Sequence, residues 1–574
     1  MTGTTTRTTT TRFGWCAAES AIPDPFRLER VYRAYRTCRR RKRASPQVQR
    51  YDMTLLDRLV TTADDLAARV WQPARSVCFA VSRPKAREIH AAAFADRVVH
   101  HVLVPQLEPY FEPVFIHDLY SNRVGKGIHA AVRRLGHFMR QATGNGAHGA
   151  WYLQLDVRNF FNTIDHGILK DLLTTRIARA CQDPRRCADL LWLAGQIVDG
   201  AQQVVAGGDP RALERVPPHK RLAAAGPGRG LPIGNLTSQF FANVYLNPLD
   251  QFVKHRLKVH GYLRYVDDCV LVHEDPVQLE AWGEDIDGFL GERLGLALKS
   301  PWRLRPVDDG ADFLGYIVRP WYRLVRRRAI GHLEERLGRL EADLSVRPPR
   351  GRRAAGSLPP GAPGAGRPAL LLDLAPEPRE ALRATLASYC GHLGHAHARR
   401  LAQALFTRRP WLAELFTLRP GPRLRPRWEP RGMASLRGQW RTLRRRFRPG
   451  VLAIQVGRCW ELYGGDHRTL PAAMLARGKS STRPGLGAGW SFPLRLGPAL
   501  EWHWRAGGQG YAVVAEEGFL PGGLKRRVLR RLYRPDGEGA PYRADGRGGR
   551  RLACAQGAGA CSTNKSVRQT GIGQ

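Results

Sequence analysis

The 574-residue sequence predicts an α/β (α+β) fold in several domains, on three observations. Apolar residues recur at helical spacing in some stretches and alternate over strand length in others, and a Pro/Gly/Arg-rich stretch at Pro348–Ala369 separates two such regions. At roughly 100 to 200 residues per domain the length allows about three to five domains, and 43% hydrophobic content supplies cores for most of them.

Residues 1–24 are Thr-rich and are predicted to be disordered. From Phe26 to Trp71, Leu28, Val31, Tyr32 and Tyr35, then Leu55, Leu59 and Leu66, fall at helical spacing, so two helices are expected. Val77–Ile89 shortens to strand length, and helical periodicity returns over Ala91–Leu107. Gly125–Gly127 and Gly144–Gly149 punctuate the chain before WYLQLDV (Trp151–Val157), which alternates as a buried strand, and a strand pair is centred on Tyr262–Val272. Beyond Pro348–Ala369, a basic stretch at Arg419–Arg448 precedes a separate C-terminal unit, and the sequence after Pro535 is Gly/Arg-rich and predicted to be disordered.

Lys and Arg number 91 against 50 Asp and Glu, a formal net charge of +41, which excludes an ordinary neutral enzyme and points to a polyanionic partner. Nucleic acid fits better than a membrane surface, because no basic amphipathic anchor stands out. No uncharged apolar run approaches the roughly 18 residues that span a bilayer, and MTGTTTRTTTTRFGWC lacks a signal-peptide core, so a cytoplasmic location and no membrane partner are expected. The ten cysteines are scattered without a CxxC, and their spacing predicts neither structural zinc nor a disulfide framework.

Three carboxylates stand out against this basic background. Asp156 closes WYLQLDV, while Asp267 and Asp268 sit in LRYVDDCVLV, where the flanking apolar residues predict a hairpin with the acids at its tip. Adjacent carboxylates repel and need a cationic side chain or a divalent metal to neutralise them. Phosphoryl transfer requires charge to be neutralised on the attacking oxygen, the leaving oxygen and the phosphate, which carboxylate-held divalent ions supply. An Asp-Asp pair alone is most often a solvated turn, so neighbouring motifs must decide.

Those motifs occur in order: LDVRNFFNTIDH, GLPIGNLTSQFFANVYLNPLDQFV, RYVDD, LGLALKS (Leu294–Ser300) and DFLGYIV (Asp312–Val318). Over residues 25–416 the chain resembles a reverse transcriptase. The resemblance implies a right-hand polymerase with fingers at 25–150, a palm at 151–318 and a helical thumb at 319–416, the last interrupted by a linker at 348–369 and followed by a basic linker at 417–448. It implies Asp156 and Asp267 as principal metal ligands with Asp268 as the third catalytic acid, holding two Mg²⁺ ions, with Mn²⁺ as the alternative. Implied partners are an RNA template, a DNA or RNA primer and dNTPs, with an accessory protein as a further one.

The same resemblance assigns Phe161 as a steric gate against a 2′-OH, and Lys85 and Arg87 as triphosphate contacts. Ile233 and Gly234 fall in the nucleotide block, where Asn235, Ser238 and Gln239 offer polar template or primer contacts. Arg123 and Lys126, beside Gly125 and Gly127, are placed on template backbone; Lys299 lies in the lysine-containing turn and Gly315 in the primer grip. Many reverse transcriptases carry Gln where Ile233 stands. An aliphatic residue followed by TSQ resembles the diversity-generating retroelement branch and some uncharacterised bacterial branches, which implies error-prone copying at template adenines; the alternative is that Ile233 only packs.

Residues 449–534 resemble the mismatch-recognition domain of the MutS protein, a small α/β accessory domain whose Phe-x-Glu pair wedges beside a mispaired base. Here Cys459 takes the Phe position, Trp460 follows and Glu461 is retained, so a nucleic-acid-binding module is expected through groups such as Lys525, Arg526 and Arg527. Residues 535–574 form the tail. Two rival readings remain: a defence-associated or template-independent polymerase on the same palm, and a non-catalytic nucleic-acid-binding scaffold.

Overall fold

Ser45-Pro46 places a proline at the first position of a helix, where its missing N–H costs nothing. The expected pair of amino-terminal helices is therefore three: Leu28–Arg39, Pro46–Met53 and Leu55–Ala67. Tyr35 and Tyr51 stack on each other and meet Phe94 edge-on, fixing these helices to the helix Phe94–Phe111. The computed structural model describes residues 24–81, 86–344, 370–420, 423–428, 435–520 and 522–535. Lys85, the 348–369 linker, nearly all of the N-terminal stretch and the C-terminal tail beyond residue 535 lie outside the described residues.

The chain divides into two compact units, Met1–Arg327 and Arg328–Gln574. In the first, β1 (Ser76–Val81) pairs antiparallel with β2 (Arg87–Ala91). The strand β3 (Trp151–Asp156) lies in a different sheet, and β4 (Val204–Ala206) runs parallel to β1. The second sheet has the order β5 (Gly261–Tyr265), β6 (Asp268–His273), β3, β7 (Arg303–Pro306), all antiparallel. Cys269 to Val272 are all buried, as a central strand covered on both faces requires. A third sheet joins β8 (Ala311–Phe313), β9 (Tyr316–Val318) and β10 (Arg323–Val325).

The second unit is built on a seven-stranded sheet. Its strands are β11 (Leu370–Asp373), β14 (Val451–Val456), β15 (Cys459–Tyr463), β16 (Lys479–Arg483), β17 (Gly487–Pro493), β18 (Tyr511–Phe519) and β19 (Lys525–Arg534), in the order β11-β19-β18-β14-β15-β17-β16. The hairpin β12 (Phe416–Arg419) and β13 (Arg423–Pro426) stands apart from it.

Two expected boundaries differ here. Residues 417–448, read as a basic linker, contain this hairpin and the helix Leu436–Phe447, which buries Gln439, Leu443 and Phe447 at the i, i+4, i+8 spacing of one helix face. The stretch expected as a thumb does not end as a separate body either, because β11 adds to β19 within residues 449–534 and Arg379 pairs with Glu517. Among the described residues no helix is long and apolar enough to cross a membrane.

Candidate active site

Strand pairing brings the three acids together. The register of β3 against β6 sets Asp156 directly opposite Asp268, and Asp267 occupies the two-residue turn between β5 and β6. Burial, then repulsion from Asp156, raises the Asp267 carboxyl to about 6, while Arg87 and Lys299 pull it back. Burial, then Asp267 and Asp156, raises Asp268 to about 7. Asp156 Oδ1 is buried without a hydrogen-bond partner, and Asp156 Oδ2 accepts from Lys299 Nζ at 2.6 Å. A cluster of hard carboxylate oxygens, mutually repelling and with one orphaned, fits a divalent ion with oxygen preference.

The turn itself is held by a buried polar network that the sequence reading missed. Val266 sits at φ 57°, a left-handed conformation unfavourable for a β-branched residue, so its surroundings must impose it. Val266 N donates to Ser121 Oγ at 3.0 Å, and Ser121 Oγ donates to Asn243 Oδ1 at 2.9 Å. Asn243 Nδ2 returns to the Ser121 carbonyl at 3.0 Å. From the other side, Arg264 Nη1 donates to the Val266 carbonyl at 2.9 Å. Arg264 is fully buried and forks onto Asp250, which also accepts from the Tyr262 hydroxyl. The available signal was an arginine inside the apolar strand YLRYV and an acid in NPLDQF.

Around the acids, Phe160 is buried in the core and Phe161 is half-buried against it, with ring centroids 5.4 Å apart. The Phe161 carbonyl accepts from Leu231 N at 2.7 Å, tying the first acidic block to the glycine-rich block. Ile233 O accepts from His90 N at 2.9 Å, so β2 runs along that block. Gly234 has φ 125°, and a Cβ there would stand 3.1 Å from the His90 carbonyl, so a side chain would collide as well as strain the backbone. Arg87 is exposed on β2.

Several expected contacts are engaged elsewhere. Asn235 and Ser238 are 5% and 2% exposed and pack inside, as a helix entering the core dictates, while Gln239 is half-buried. Arg123 is spent on Glu112 and on the carbonyls of Ile116 and Leu119. Lys126 donates to the His117 carbonyl over the Tyr120 ring. Lys299 pairs with Asp156 at 2.6 Å. Gly315 (φ 95°) follows Leu314 (φ 48°) in the tight β8–β9 turn, whose two positive φ values are those of a type I′ hairpin.

In the second unit the residues at the expected Phe-x-Glu positions are engaged within the unit. Glu461 is 2% exposed, paired with Arg483 at 2.7 Å and bonded by the Tyr463 hydroxyl. Trp460 donates its indole N–H to the Leu494 carbonyl and packs on the core. The cations named on β19 are also used internally: Lys525 and Arg527 pair with Glu516, and Arg526 bonds the Glu517 carbonyl.

Residues 82–318 match the family described as Reverse transcriptase (RNA-dependent DNA polymerase). Protein YkfC of Escherichia coli (strain K12) is 27% identical over 331 residues, covering 51% of this chain and 77% of that protein. The Group II intron-encoded protein LtrA of Lactococcus lactis subsp. cremoris is 26% identical over 183 residues, which cover 32% of this chain and 25% of LtrA. Among solved structures, apo telomerase from Candida tropicalis truncated from its C-terminal domain aligns with a TM-score of 0.33 and 9% identity, over 44% of this chain and 55% of that one.

Proposed function

We infer from the reverse transcriptase domain at residues 82–318, which makes the chain an RNA-directed DNA polymerase, that Asp156, Asp267 and Asp268 are its catalytic acids. The observation that carries this reading is the register that sets Asp156 opposite Asp268 with Asp267 at the adjoining turn. The three carboxylates would hold two Mg²⁺ ions, which would supply acidification of the primer 3′-hydroxyl and charge neutralisation on the leaving pyrophosphate. The protein's part is to hold three carboxylates rigidly enough that they do not relax apart, which is the work of Arg264, Ser121 and Asn243 behind Val266. Arg87, exposed on β2 and close enough to depress the Asp267 carboxyl, is positioned for the triphosphate. Phe161, five residues after Asp156 and half-buried against Phe160, is the proposed steric gate against a sugar with a 2′-OH.

Ile233 supports an error-prone reading. Its backbone is fixed through His90, and its aliphatic side chain offers no hydrogen bond with which to check the nascent pair. For residues 449–534 mismatch sensing is not proposed, because Glu461 and Trp460 are both committed within the unit. A homopolymer RNA template with its complementary primer and dNTP separates the readings. Incorporation that needs the template supports the assignment, incorporation without it favours the template-independent rival, and none with any divalent ion leaves only the scaffold.

A further inference from the structure

The β1–β2 hairpin carries a second group of metal-ligating side chains, remote in chemistry from the three aspartates. Its register pairs Cys78 with His90 and Ala80 with Glu88, so Cys78, His90 and Glu88 share one face of the hairpin. They are 3%, 2% and 8% exposed, and one ligand atom from each lies within 4.8 Å of the others.

Hydrogen bonding within the protein leaves this group incomplete. Cys78 Sγ donates to Glu88 Oε1 at 3.0 Å, and Glu88 Oε2 accepts from Leu222 N at 2.7 Å. His90 Nε2 stands 3.5 Å from Glu88 Oε1, and neither ring nitrogen of this buried imidazole has a hydrogen-bond partner. Burying an imidazole whose nearest polar neighbour is a carboxylate at 3.5 Å, with Nδ1 unpartnered, is costly, and a lone pair on one of its nitrogens is what a cation would take. In a tetrahedral site with bonds of about 2.0–2.3 Å the ligand atoms stand roughly 3.3–3.8 Å apart, and Glu88 Oε1 already lies 3.0 Å from Cys78 Sγ and 3.5 Å from His90 Nε2.

We propose that Cys78, Glu88 and His90 form a structural site for one borderline-soft divalent ion, Zn²⁺, which fastens the β1–β2 hairpin to the glycine-rich block. Thiolate, imidazole and carboxylate are the donor set that zinc accepts and Mg²⁺ does not. On binding, the Cys78 thiol releases its proton to solvent, its sulfur bonds the ion, and a water completes the fourth position. The fastening follows from connectivity: Glu88 is bonded to Leu222 N, and His90 N to the Ile233 carbonyl, so the ion's ligands hold both ends of the segment that carries Ile233. Arg87 immediately precedes Glu88 on the opposite face of β2, so the same ion steadies its approach to the acids. Cysteine spacing carries no signal for such a site, because hairpin register and not a CxxC assembles it.

The test uses the full chain, purified without chelator from zinc-supplemented medium, then stripped and titrated with Co²⁺. The expected result is about one equivalent of zinc retained per chain, a thiolate-to-cobalt charge-transfer band on titration, and a melting temperature raised by Zn²⁺. Cys78→Ser loses all three, whereas Asp267→Asn keeps them, which separates this site from the carboxylate cluster. Should Cys78→Ser fail to fold, the wild-type cobalt titration and Glu88→Gln, expected to bind more weakly with the band retained, decide the matter. Wild-type protein with no zinc and no thiolate–cobalt band overturns the proposal, as does a band that persists unchanged in Cys78→Ser.

Discussion

Asp156 and Asp268 face each other across β3 and β6, and after burial and Asp267 the Asp156 carboxylate is a further cause that raises the Asp268 carboxyl. Their separation is fixed by two strands of the central sheet rather than by a loop. The acids are thus strained in the ionised state and relieved by whatever cation enters.

That strain has a pH signature. Asp267 and Asp268 have folded-state values raised to about 6 and about 7, above the ordinary carboxyl range, so each favours folding in its protonated form. Without divalent ions, stability is greatest below about pH 4 in this contribution and is lost as pH rises through 6 to 7. Allowing for partial solvent exposure, Asp268→Asn should stabilise the ion-free chain at pH 8 by about 1–2 kcal/mol and flatten its pH dependence. Thermal melts from pH 5 to 8 with chelator check this; an unchanged slope would contradict the effect of burial and repulsion on these carboxyls.

Arg264 should be the costliest single loss behind the site. Arg264→Met leaves Asp250 buried and uncompensated, and is expected to destabilise the protein by about 3–5 kcal/mol. Arg264→Met with Asp250→Leu should recover much of that stability but not the activity, since the Val266 carbonyl has still lost its donor. Chemical denaturation and primer extension on the same preparations distinguish the two effects.

Ser121→Ala tests the other side of the turn. It strands Val266 N and Asn243 Oδ1, a loss of about 1–3 kcal/mol, and should lower kcat with little change in template affinity. A variant with normal kcat would show that the turn keeps its shape without this network.

Ile233→Gln is expected to lower misincorporation, most visibly opposite template adenine, with polymerisation retained. About 1.4 kcal/mol of added discrimination is a tenfold change in error frequency. Sequencing the products of both proteins on one RNA template measures it, and equal error spectra would reduce Ile233 to a packing residue.

What could be read from the chain, and what could not, follows from locality. The strand ending at Asp156 and the hairpin carrying Asp267 and Asp268 were legible because alternation and a turn are short-range patterns, while the role of the three acids came only from the resemblance. Arg264 was not, because its partner Asp250 lies 14 residues away on another element and a lone charge in a strand reads as solvated. Ser238 and Asn235 misled for the opposite reason: polar residues opening a helix look exposed, yet this helix enters the core. At 417–448 a run of arginines concealed the Gln439, Leu443, Phe447 face, so a folded segment passed for a linker. Cys78, Glu88 and His90 are adjacent only through hairpin register, which spacing along the sequence does not display.

Templated DNA synthesis is assigned to the site that Asp156, Asp267 and Asp268 form. Its most direct test is single-nucleotide extension of a primer on an RNA template with Mg²⁺, comparing wild type with Asp267→Asn, while primer-template binding is followed in parallel. The account predicts extension by the wild type, and extension at background with binding preserved for Asp267→Asn. Extension above background by a folded Asp267→Asn protein would contradict it.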